Sequence, residues 1–390
     1  MVLQKETMEP AAPGTFEIRA NDPESSARRG RLLTAHGWVE TPAFMPVGTR
    51  GAIKAMEPDE VAAMGYEMIL SNAFHLHCRP GEAIVESLGG LHRFMGWSGA
   101  ILTDSGGYQV FSLSKIRKIQ PNGVVFQSPY DGAWTFLGPV EAMAIQRRLG
   151  SDIAMIFDEC APYPCTRDYA CQSVKRTLEW ATLCREQPRA AGQLVFGIVQ
   201  GGEWRDLREQ CAAALTDLQF DGYAVGGVSV GEPEPVLLRG IEDGVRGLPA
   251  TRPRYLMGVG RLSQMIEAIA RGVDLFDCVM PTRTARNGTA LTRTGRMVVK
   301  AAAFRSDDQP IEPGCVCPTC KRFSRGYLRH LMNVSEMLGG RLLTVHNLHV
   351  YAGWMRDIRE ALEAGRFDEF RKAFHRDWTL GKPDLNSKIK

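Results

Sequence analysis

The chain has 390 residues, of which 44% are hydrophobic and 23% are charged, and its formal net charge is +3. This composition is typical of a globular protein with a large core and excludes disordered and fibrous chains, while no uncharged apolar stretch approaches the roughly 20 residues that a membrane-spanning helix needs. Ten cysteines scattered along the chain indicate a reducing, cytoplasmic setting rather than a disulfide framework.

Short apolar runs alternate with helical patterns along most of the chain. After a polar, proline-bearing stretch (1–14) that we expect to be a disordered leader, eight apolar runs are predicted to be buried parallel strands: 42–47, 67–71, 100–103, 152–157, 194–199, 222–225, 254–257 and 274–278. Apolar residues at three- and four-residue spacing predict helices between them, at 57–64, 139–149, 168–185, 203–218 and 261–271. The alternation favours an α/β fold, a (β/α)8 TIM barrel, over a doubly wound sheet.

The alternation breaks after Asp277. We expect short β-structure over 283–304, with turns at Asn287-Gly288 and Thr294-Gly295, and helical patterning again from Asn347, over 350–364 and 367–374. Basic residues dominate here, because only Asp307, Asp308 and Glu312 oppose Arg283, Arg286, Arg293, Arg296, Lys300, Arg305, Lys321, Arg322, Arg325 and Arg329. With a second cluster at Lys115, Arg117 and Lys118, this excess indicates a polyanionic substrate such as nucleic acid. A merely solvated basic surface is the alternative.

Three cysteines occupy a C-x-C-x2-C pattern at Cys315, Cys317 and Cys320. Zinc takes four thiolate or imidazole ligands in a closed structural site, so a histidine must complete the set. His346 and His349 are the candidates, and His330 is a weaker one; free or redox-active thiols are the alternative. The expected division is therefore a catalytic barrel (15–299), an inserted C-terminal zinc-binding subdomain (300–349), and C-terminal helices that complete the barrel, followed by a loose tail (350–390).

Polar residues follow several predicted strands, at the end where parallel α/β folds bind ligands. Asp104 begins a glycine-rich loop that contains Tyr108, and Asp158 and Gln200 follow two further strands. With the Gly226-Gly227 pair and Met257 at other strand ends, these residues predict a pocket for a flat heterocycle. Singly, Asp158 could be a helix N-cap and Gln200 a loop brace.

Asp104 and Asp277 suit chemistry at a glycosidic carbon, where one carboxylate attacks and the other moves a proton. The alternative for Asp277 is a structural salt bridge to Arg283 or Arg286. The pair His75 and His77 resembles a metal site of barrel hydrolases, but the sequence offers no lysine or second histidine pair at a strand end to complete it.

Six motifs resemble the bacterial tRNA-guanine transglycosylase family, and the likeness extends over about 16–374. They are TPAFMPVGT (41–49), DSGGYQ (104–109), FDEC (157–160), DGYAVGG (221–227), YLMGVG (255–260) and FDCVMPTR (276–283). The resemblance implies a (β/α)8 barrel with a structural Zn2+ in an insertion. It implies exchange of guanine at wobble position 34 of G-U-N anticodon tRNAs (those for Tyr, His, Asn and Asp) for the base preQ1, toward queuosine.

The same resemblance implies a role for each matching residue. Asp277 would be the nucleophile on ribose C1′ and Asp104 the general acid/base, and His346 would be the fourth zinc ligand, which leaves His349 a bystander. Asp158, Gln200 and the backbone near Gly227 would read the base edge, and Tyr108 and Met257 would sandwich the base. The implied substrate-binding set further includes Asn72, Ser105, Cys160, Gly226, Val228 and Gly258. The implied RNA-binding residues are Arg283, Arg286 and Arg261.

Some positions bear on substrate choice and assembly. Cys160 and Val230 are similar to the preQ1-using bacterial form, and Glu232 is expected to hold a peptide near the aminomethyl group. The chain departs from the family pattern at Ala73, where Thr is usual, and at Ser229, where Ala is common, which leaves the choice between preQ1 and its nitrile precursor preQ0 open. A homodimer interface is implied at Phe323, Tyr327 and His330, with Phe where Trp is frequent.

Two rival functions remain to be tested. A non-catalytic tRNA-binding subunit of this fold would have lost its acids, whereas this chain keeps Asp104 and Asp277. A carbohydrate glycosidase would show a row of tryptophans near the acids, and the sequence has no such cluster.

Overall fold

The structure is a computed structural model that describes residues 11–108, 117–128, 130 and 132–380. Most of the expected leader, the end of the expected tail, Gln109 and Lys115 lie outside the described residues. Within the described part of the chain, no helix combines the length and apolar character needed to cross a membrane.

The strands of the described residues follow one another along the chain in a fixed order, with helices between many of them. They are β1 (Phe16–Asn21), β2 (Arg28–Thr34), β3 (Gly37–Thr41), β4 (Ala43–Met45), β5 (Val47–Gly48), β6 (Met68–Asn72), β7 (Ala100–Asp104), β8 (Arg117–Gln120), β9 (Gly123–Gln127), β10 (Trp134–Leu137), β11 (Ile153–Met155), β12 (Leu194–Val199), β13 (Gly222–Val225), β14 (Arg254–Leu256), β15 (Leu275–Asp277), β16 (Thr289–Thr292) and β17 (Gly295–Val298). Among the described residues, three small antiparallel sheets, β1-β2-β3, β8-β9-β10 and β16-β17, accompany one large parallel sheet.

The parallel sheet curves into a nearly closed barrel in the order β4-β15-β14-β13-β12-β11-β7-β6-β5. Pro46 alone separates β4 from β5, and β4 pairs with β15 while β5 pairs with β6, so the two segments act as one strand that closes the ring. Each of the eight predicted runs contains a strand, and the predicted (β/α)8 barrel is confirmed. β12 and β13 are buried along their whole length, as expected for strands covered on both faces.

The helices are α1 (Pro58–Ala62), α2 (Ala73–Cys78), α3 (Glu82–Ser87), α4 (Gly90–Met95), α5 (Pro139–Leu149), α6 (Arg167–Arg185), α7 (Arg205–Asp217), α8 (Glu234–Arg246), α9 (Leu262–Ala270), α10 (Met280–Arg286), α11 (Pro318–Arg322), α12 (Arg325–Asn333), α13 (Met337–Glu363) and α14 (Phe367–Leu380), with a 3-10 turn at Ala302–Phe304. The five helices predicted before Asp277 are all present, and the four longer ones, α5, α6, α7 and α9, each bury one apolar face. α5 begins at Pro139, where the missing N–H costs nothing.

Two expectations for the C-terminal part were wrong. Arg283 to Arg286 belong to α10, and β-structure begins only at Thr289. Helical structure returns before Asn347, first in the short helices α11 and α12 and then in α13, which begins at Met337. His346 and His349 therefore lie inside α13 rather than at its start. The glycines that mask this helix in the sequence permit close packing: a Cβ on Gly339 would lie 2.8 Å from the sulfur of Met332.

Helix α13 links the two hydrophobic cores of the described chain. The larger core fills the barrel and its helices, and the smaller one lies around α11, α12 and β16. Leu342 and Leu343 of α13 belong to the smaller core, whereas Leu348 and Tyr351 belong to the larger one. The expected division at 349/350 falls inside this helix.

A buried ion pair ties the N-terminal sheet to the start of β15. Arg28 on β2 donates from Nε to Asp274 Oδ1 at 2.9 Å and from a terminal nitrogen to Oδ2 at 2.6 Å, and both side chains are almost fully buried. The backbone N–H of Arg254 donates to the same carboxylate at 2.7 Å. Asp274 therefore joins β2, β14 and β15 at the end of the barrel remote from Asp277.

We expect Asp274→Ala to lower the free energy of unfolding by about 3–5 kcal/mol, because it leaves the Arg28 cation buried without its partner. Urea denaturation followed by circular dichroism measures this change. The matched control is Asp206→Ala, which breaks a solvent-exposed pair with Arg167 and should cost far less. Equal losses for the two variants would contradict a special role for the buried pair.

Candidate functional site

Asp104 lies at the C-terminal end of β7, beside the end of β6. The register of the two strands sets Asn72 opposite Asp104, and the Asn72 side-chain amide donates to Asp104 Oδ2. The backbone N–H of Ala73 donates to the other oxygen, Oδ1, at 3.0 Å. The carboxylate is thus held by a helix start, since Asn72 is also the N-cap of α2. The hydroxyl that Ala73 lacks is not needed for this contact.

Asp277 ends β15, and its two hydrogen-bond donors among the described residues meet the same carboxylate oxygen. The Tyr255 hydroxyl and the Gly258 backbone N–H both donate to Oδ1, at 2.6 and 2.8 Å. Within the described residues no arginine or lysine forms a salt bridge with Asp277, so the alternative of a structural pair with Arg283 or Arg286 is not observed. Burial raises the pKa of Asp277, and the two hydrogen bonds lower it.

The negative charges of Asp277 and Asp104 both raise the pKa of the Tyr255 hydroxyl. Burial raises the pKa of the Tyr255 hydroxyl well above its usual value, and the negative charges of Asp277 and, less strongly, Asp104 raise it further. The strand order explains this proximity, because only β4/β5 and β6 separate β15 from β7. Asp104 and Asp277 therefore face one mouth of the barrel.

A second polar pair lies at the ends of β11 and β12. The Gln200 amide donates to Asp158 Oδ2 at 2.7 Å, and both side chains are buried. Asp158 is not an N-cap, because α6 begins after Thr166. Burial raises the pKa of Asp158 to about 6, and the bond from Gln200 lowers it. Among the described residues Gln200 Oε1 has no hydrogen-bond partner although it is buried, so it remains able to accept from a bound group.

Glycines allow the neighbouring loops to approach this pair. A Cβ on Gly107 would lie 2.8 Å from the Asp158 carbonyl oxygen, and one on Gly226 or Gly227 would lie 2.7 or 2.4 Å from the Gln200 amide. Gly227 also has a φ of +62°, which favours glycine. The Asp104 loop and the Gly226-Gly227 loop are therefore in contact with the Asp158–Gln200 pair.

The other predicted pocket residues differ in exposure. Tyr108 is 53% exposed and Met257 is half-buried, whereas Ser105 and Val228 are buried. Burial and the charge of Asp158 raise the pKa of Cys160 to about 12, so its thiol stays protonated at neutral pH and is a poor nucleophile.

Glu232 braces the loop that follows Gly227. Its two carboxylate oxygens accept from the backbone N–H groups of Ser229 and Val230, the latter at 2.8 Å. Ser229 has a φ of +62°, a strained value for a residue with a side chain. Glu232 thus offsets the cost of an unusual backbone turn beside the pocket.

Exposed cations border the same mouth. Arg283 and Arg286 lie on α10, which starts three residues after Asp277, and Arg261 is the N-cap of α9, just after the Gly258 loop. All three are exposed to solvent. They can contact phosphates of a polyanion whose reacting group reaches the carboxylates.

His75 and His77 are engaged elsewhere. His75 Nδ1 is hydrogen-bonded to the Tyr130 hydroxyl, and His77 Nδ1 lies 2.7 Å from Glu82. The two histidines therefore do not converge on one point, as a metal site would require.

Cys315, Cys317, Cys320 and His346 converge on one point. His346 Nδ1 lies 3.8, 3.5 and 3.4 Å from the three sulfurs in that order. Tetrahedral zinc with usual bond lengths would separate sulfur and nitrogen ligands by about 3.5 Å. His346 Nε2 lies 2.8 Å from the Leu291 carbonyl oxygen, which fixes the tautomer with Nδ1 free for a metal. The group could bind a metal ion, and its chemistry is consistent with zinc.

His36, His92 and Asp152 form a second cluster with ligand-like spacing, at the opposite end of the barrel. The two rings are stacked, with centroids 3.6 Å apart and planes inclined by 13°. A metal ion lies near the plane of each imidazole that binds it, about 2 Å from the nitrogen. Two nearly parallel, stacked rings share no such position, so each histidine is better described as a hydrogen-bond partner of Asp152, at 2.8 and 3.0 Å.

An aromatic pair lies on the surface of the segment that carries the metal group. The Phe323 and Tyr327 rings stack with centroids 5.5 Å apart, and His330 is exposed one helical turn further along α12.

Tyr255 was not predicted from the sequence as a site residue. A tyrosine inside a buried strand is usually core, and only the neighbouring strand shows that its hydroxyl meets Asp277.

Comparison with known proteins gives a consistent result. A family profile described as queuine tRNA-ribosyltransferase matches residues 22–380. The chain is 52% identical over 364 residues to a queuine tRNA-ribosyltransferase of Pelotomaculum thermopropionicum, covering 93% of this chain and 98% of that protein. It is 50% identical over 376 residues to one of Symbiobacterium thermophilum, covering 96% and 94%. The likeness thus extends over both the barrel mouth and the cysteine cluster, and the chain belongs to the queuine tRNA-ribosyltransferase family.

Proposed function

We propose that the protein is a tRNA-guanine transglycosylase, a pentosyltransferase that replaces guanine at position 34 of G-U-N anticodon tRNAs with preQ1 in queuosine biosynthesis. The observation that supports this most directly is the arrangement of two carboxylates at one barrel mouth beside the Asp158–Gln200 pair. The four acceptor tRNAs would be those for Tyr, His, Asn and Asp, and the reaction would take place in the cytoplasm.

Asp277 is the nucleophile in this mechanism. Its Oδ1 is occupied by Tyr255 and Gly258, and Oδ2 attacks ribose C1′ as the bond from C1′ to guanine N9 breaks. Asp104 gives a proton to the departing base and takes one from N9 of the incoming base, which then displaces Asp277 as a carboxylate. Two displacements retain the configuration at C1′. Because the covalent intermediate conserves the glycosidic bond energy, no nucleotide cofactor is needed.

Recognition of the base follows from the pocket's donors and acceptors. The Asp158 carboxylate and Gln200 accept from the amino and imino groups of guanine, and the backbone at Gly227 and Val228 donates to or accepts from its remaining edge. Tyr108 and Met257 cover the ring faces. A base enters such a pocket only when it leaves its stack, which an anticodon loop permits at low cost. Cys160 and Val230 limit the space at the 7-substituent, which favours preQ1 over queuine.

The remaining parts serve binding and stability. Arg283, Arg286 and Arg261 bind the phosphates around the anticodon. A structural zinc ion held by Cys315, Cys317, Cys320 and His346 stabilises the segment that carries many of the basic residues. Phe323, Tyr327 and His330 form a homodimer contact, which is supported by the exposure of Tyr327 and His330 and by the stacking of Tyr327 on the half-buried Phe323.

Exchange of radiolabelled guanine into a G-U-N tRNA tests the proposed activity. We expect label at position 34, and none when the anticodon is changed.

Asp277→Asn should bind tRNA but form no denaturation-resistant adduct, and it should lose at least about a thousandfold in kcat because an amide is a poor nucleophile. The control is Asp217→Asn, at the exposed end of α7. tRNA binding without incorporation by the unaltered protein would instead indicate a non-catalytic subunit.

Guanine affinity should fall at acid pH. Since burial raises the pKa of Asp158 to about 6, the carboxylate is ionised above that pH and becomes protonated below it, where it loses its capacity to accept two N–H groups. The Kd for guanine, measured by equilibrium binding, should rise roughly tenfold per pH unit below about pH 6. Asp158→Asn should bind weakly with no such dependence, and an unchanged acid limb in that variant would assign the titration to another group.

The purified protein should contain one zinc per chain, measured by plasma mass spectrometry. Cys317→Ala removes a buried ligand and should abolish the metal and destabilise the smaller core, because binding energy at a closed site is folding energy. Cys184→Ala, a buried cysteine outside the group, should keep the metal. A metal-free protein with unchanged thermal stability would refute the structural role.

A further inference from the structure

Arg208 is a buried cation behind the base pocket. It lies on α7, is 1% exposed and forms no salt bridge with any described carboxylate. Instead its guanidinium donates to three backbone carbonyls: Nε to Gly202 at 2.7 Å, and the two terminal nitrogens to Gly226 and Gly227 at 3.0 and 3.1 Å. Burial lowers its pKa to about 10, so it remains charged at neutral pH. Burying a cation costs free energy, and here the three hydrogen bonds to backbone carbonyls offset that cost.

Glycines make room for this side chain. A Cβ on Gly201 would lie 2.7 Å from Arg208 Cγ. Gly240 and Gly244 lie inside α8, where glycine is unfavourable, yet Cβ atoms there would come within 3.4 and 3.6 Å of the guanidinium nitrogens and closer still to Val228 and Val225. Glycine at these two positions lowers the helix propensity of α8 but leaves room for Arg208 to reach the Gly226-Gly227 loop.

The contacts of Arg208 fix the direction of two peptide groups. In a planar trans peptide, the carbonyl of one residue and the N–H of the next point in opposite directions. With the Gly226 and Gly227 carbonyls turned to Arg208, the N–H groups of Gly227 and Val228 point away from it. The Gly227 N–H faces the thiol of Cys160, whose pKa it lowers, and so lies on the same side as Asp158.

We propose that Arg208 is a positioning residue that turns the Gly227 N–H into the base pocket as a donor to the O6 carbonyl of guanine. The inference rests on the proposed function. Guanine has one carbonyl oxygen, and a fixed N–H donor at that point accepts a 6-oxo purine and rejects a 6-amino purine. Without Arg208 the glycine-rich loop has no cation to hold its carbonyls and can rotate these peptides.

The test compares guanine with 6-thioguanine, which keeps the amino and imino donors but has a weak acceptor at position 6. Arg208→Met should weaken guanine binding roughly tenfold to a hundredfold, the effect of losing one buried hydrogen bond, and should change 6-thioguanine binding far less. Arg208→Lys, which keeps a cation but not the fork, should lie between Arg208→Met and the unaltered protein. Competition binding to the folded proteins, checked by circular dichroism, gives both constants.

The matched control is Arg254→Lys. Arg254 is also buried and donates to backbone carbonyls, those of Leu248 and Gly272, at the other end of the barrel. Its replacement should lower stability without changing the ratio of the two affinities. Equal losses for both bases in Arg208→Lys, or in Arg208→Met if it folds, would overturn the inference. Failure of the unaltered protein to incorporate guanine would instead refute the proposed function.

Discussion

Closure of the parallel sheet is the constraint on which the site depends. Asp104 and Asp277 are far apart in the chain, and they come to one mouth only because β4 pairs with β15 while β5, just beyond Pro46, pairs with β6. The pairing of β6 with β7 then sets Asn72 against Asp104. Parallel strands present their C-terminal ends at the same edge, so one closed ladder determines which side chains can meet.

The two ends of the barrel differ in the partners of their buried carboxylates. At the end where strands begin, Asp152 is hydrogen-bonded to His36 and His92, and Asp274 forms an ion pair with Arg28. At the opposite mouth, the described donors to Asp277 are the Tyr255 hydroxyl and the Gly258 backbone N–H, both neutral, and burial raises the pKa of Asp158. The buried carboxylates at one end are therefore held by an ion pair or by two histidines, whereas Asp158 and Asp277 at the other end have raised pKa values, as is common for functional groups.

Sequence alone predicted much of this molecule. Continuous apolar runs predicted every barrel strand among the described residues, and the cysteine spacing predicted three members of the group that could bind a metal. It could not find Tyr255 or Arg208, since a tyrosine in a strand and an arginine on an amphipathic helix have no local signal; their partners lie on other elements. It also misplaced the start of α13, because Gly339 and Gly340 resemble a helix break in the sequence, whereas the packing of Met332 against Gly339 requires a small residue there.

The continuity of α13 has a consequence for how this architecture can vary. Within one helix, His346 belongs to the metal group, Asn347 bonds to the backbone at Pro281, Thr289 and Leu291, and the Tyr351 hydroxyl bonds to Gly260, behind the Gly258 loop. The cysteine-bearing segment is therefore not a detachable module. Excising or transplanting it would cut a helix that also supports the proposed active site, so divergence among homologues should be confined to the segment's outer surface.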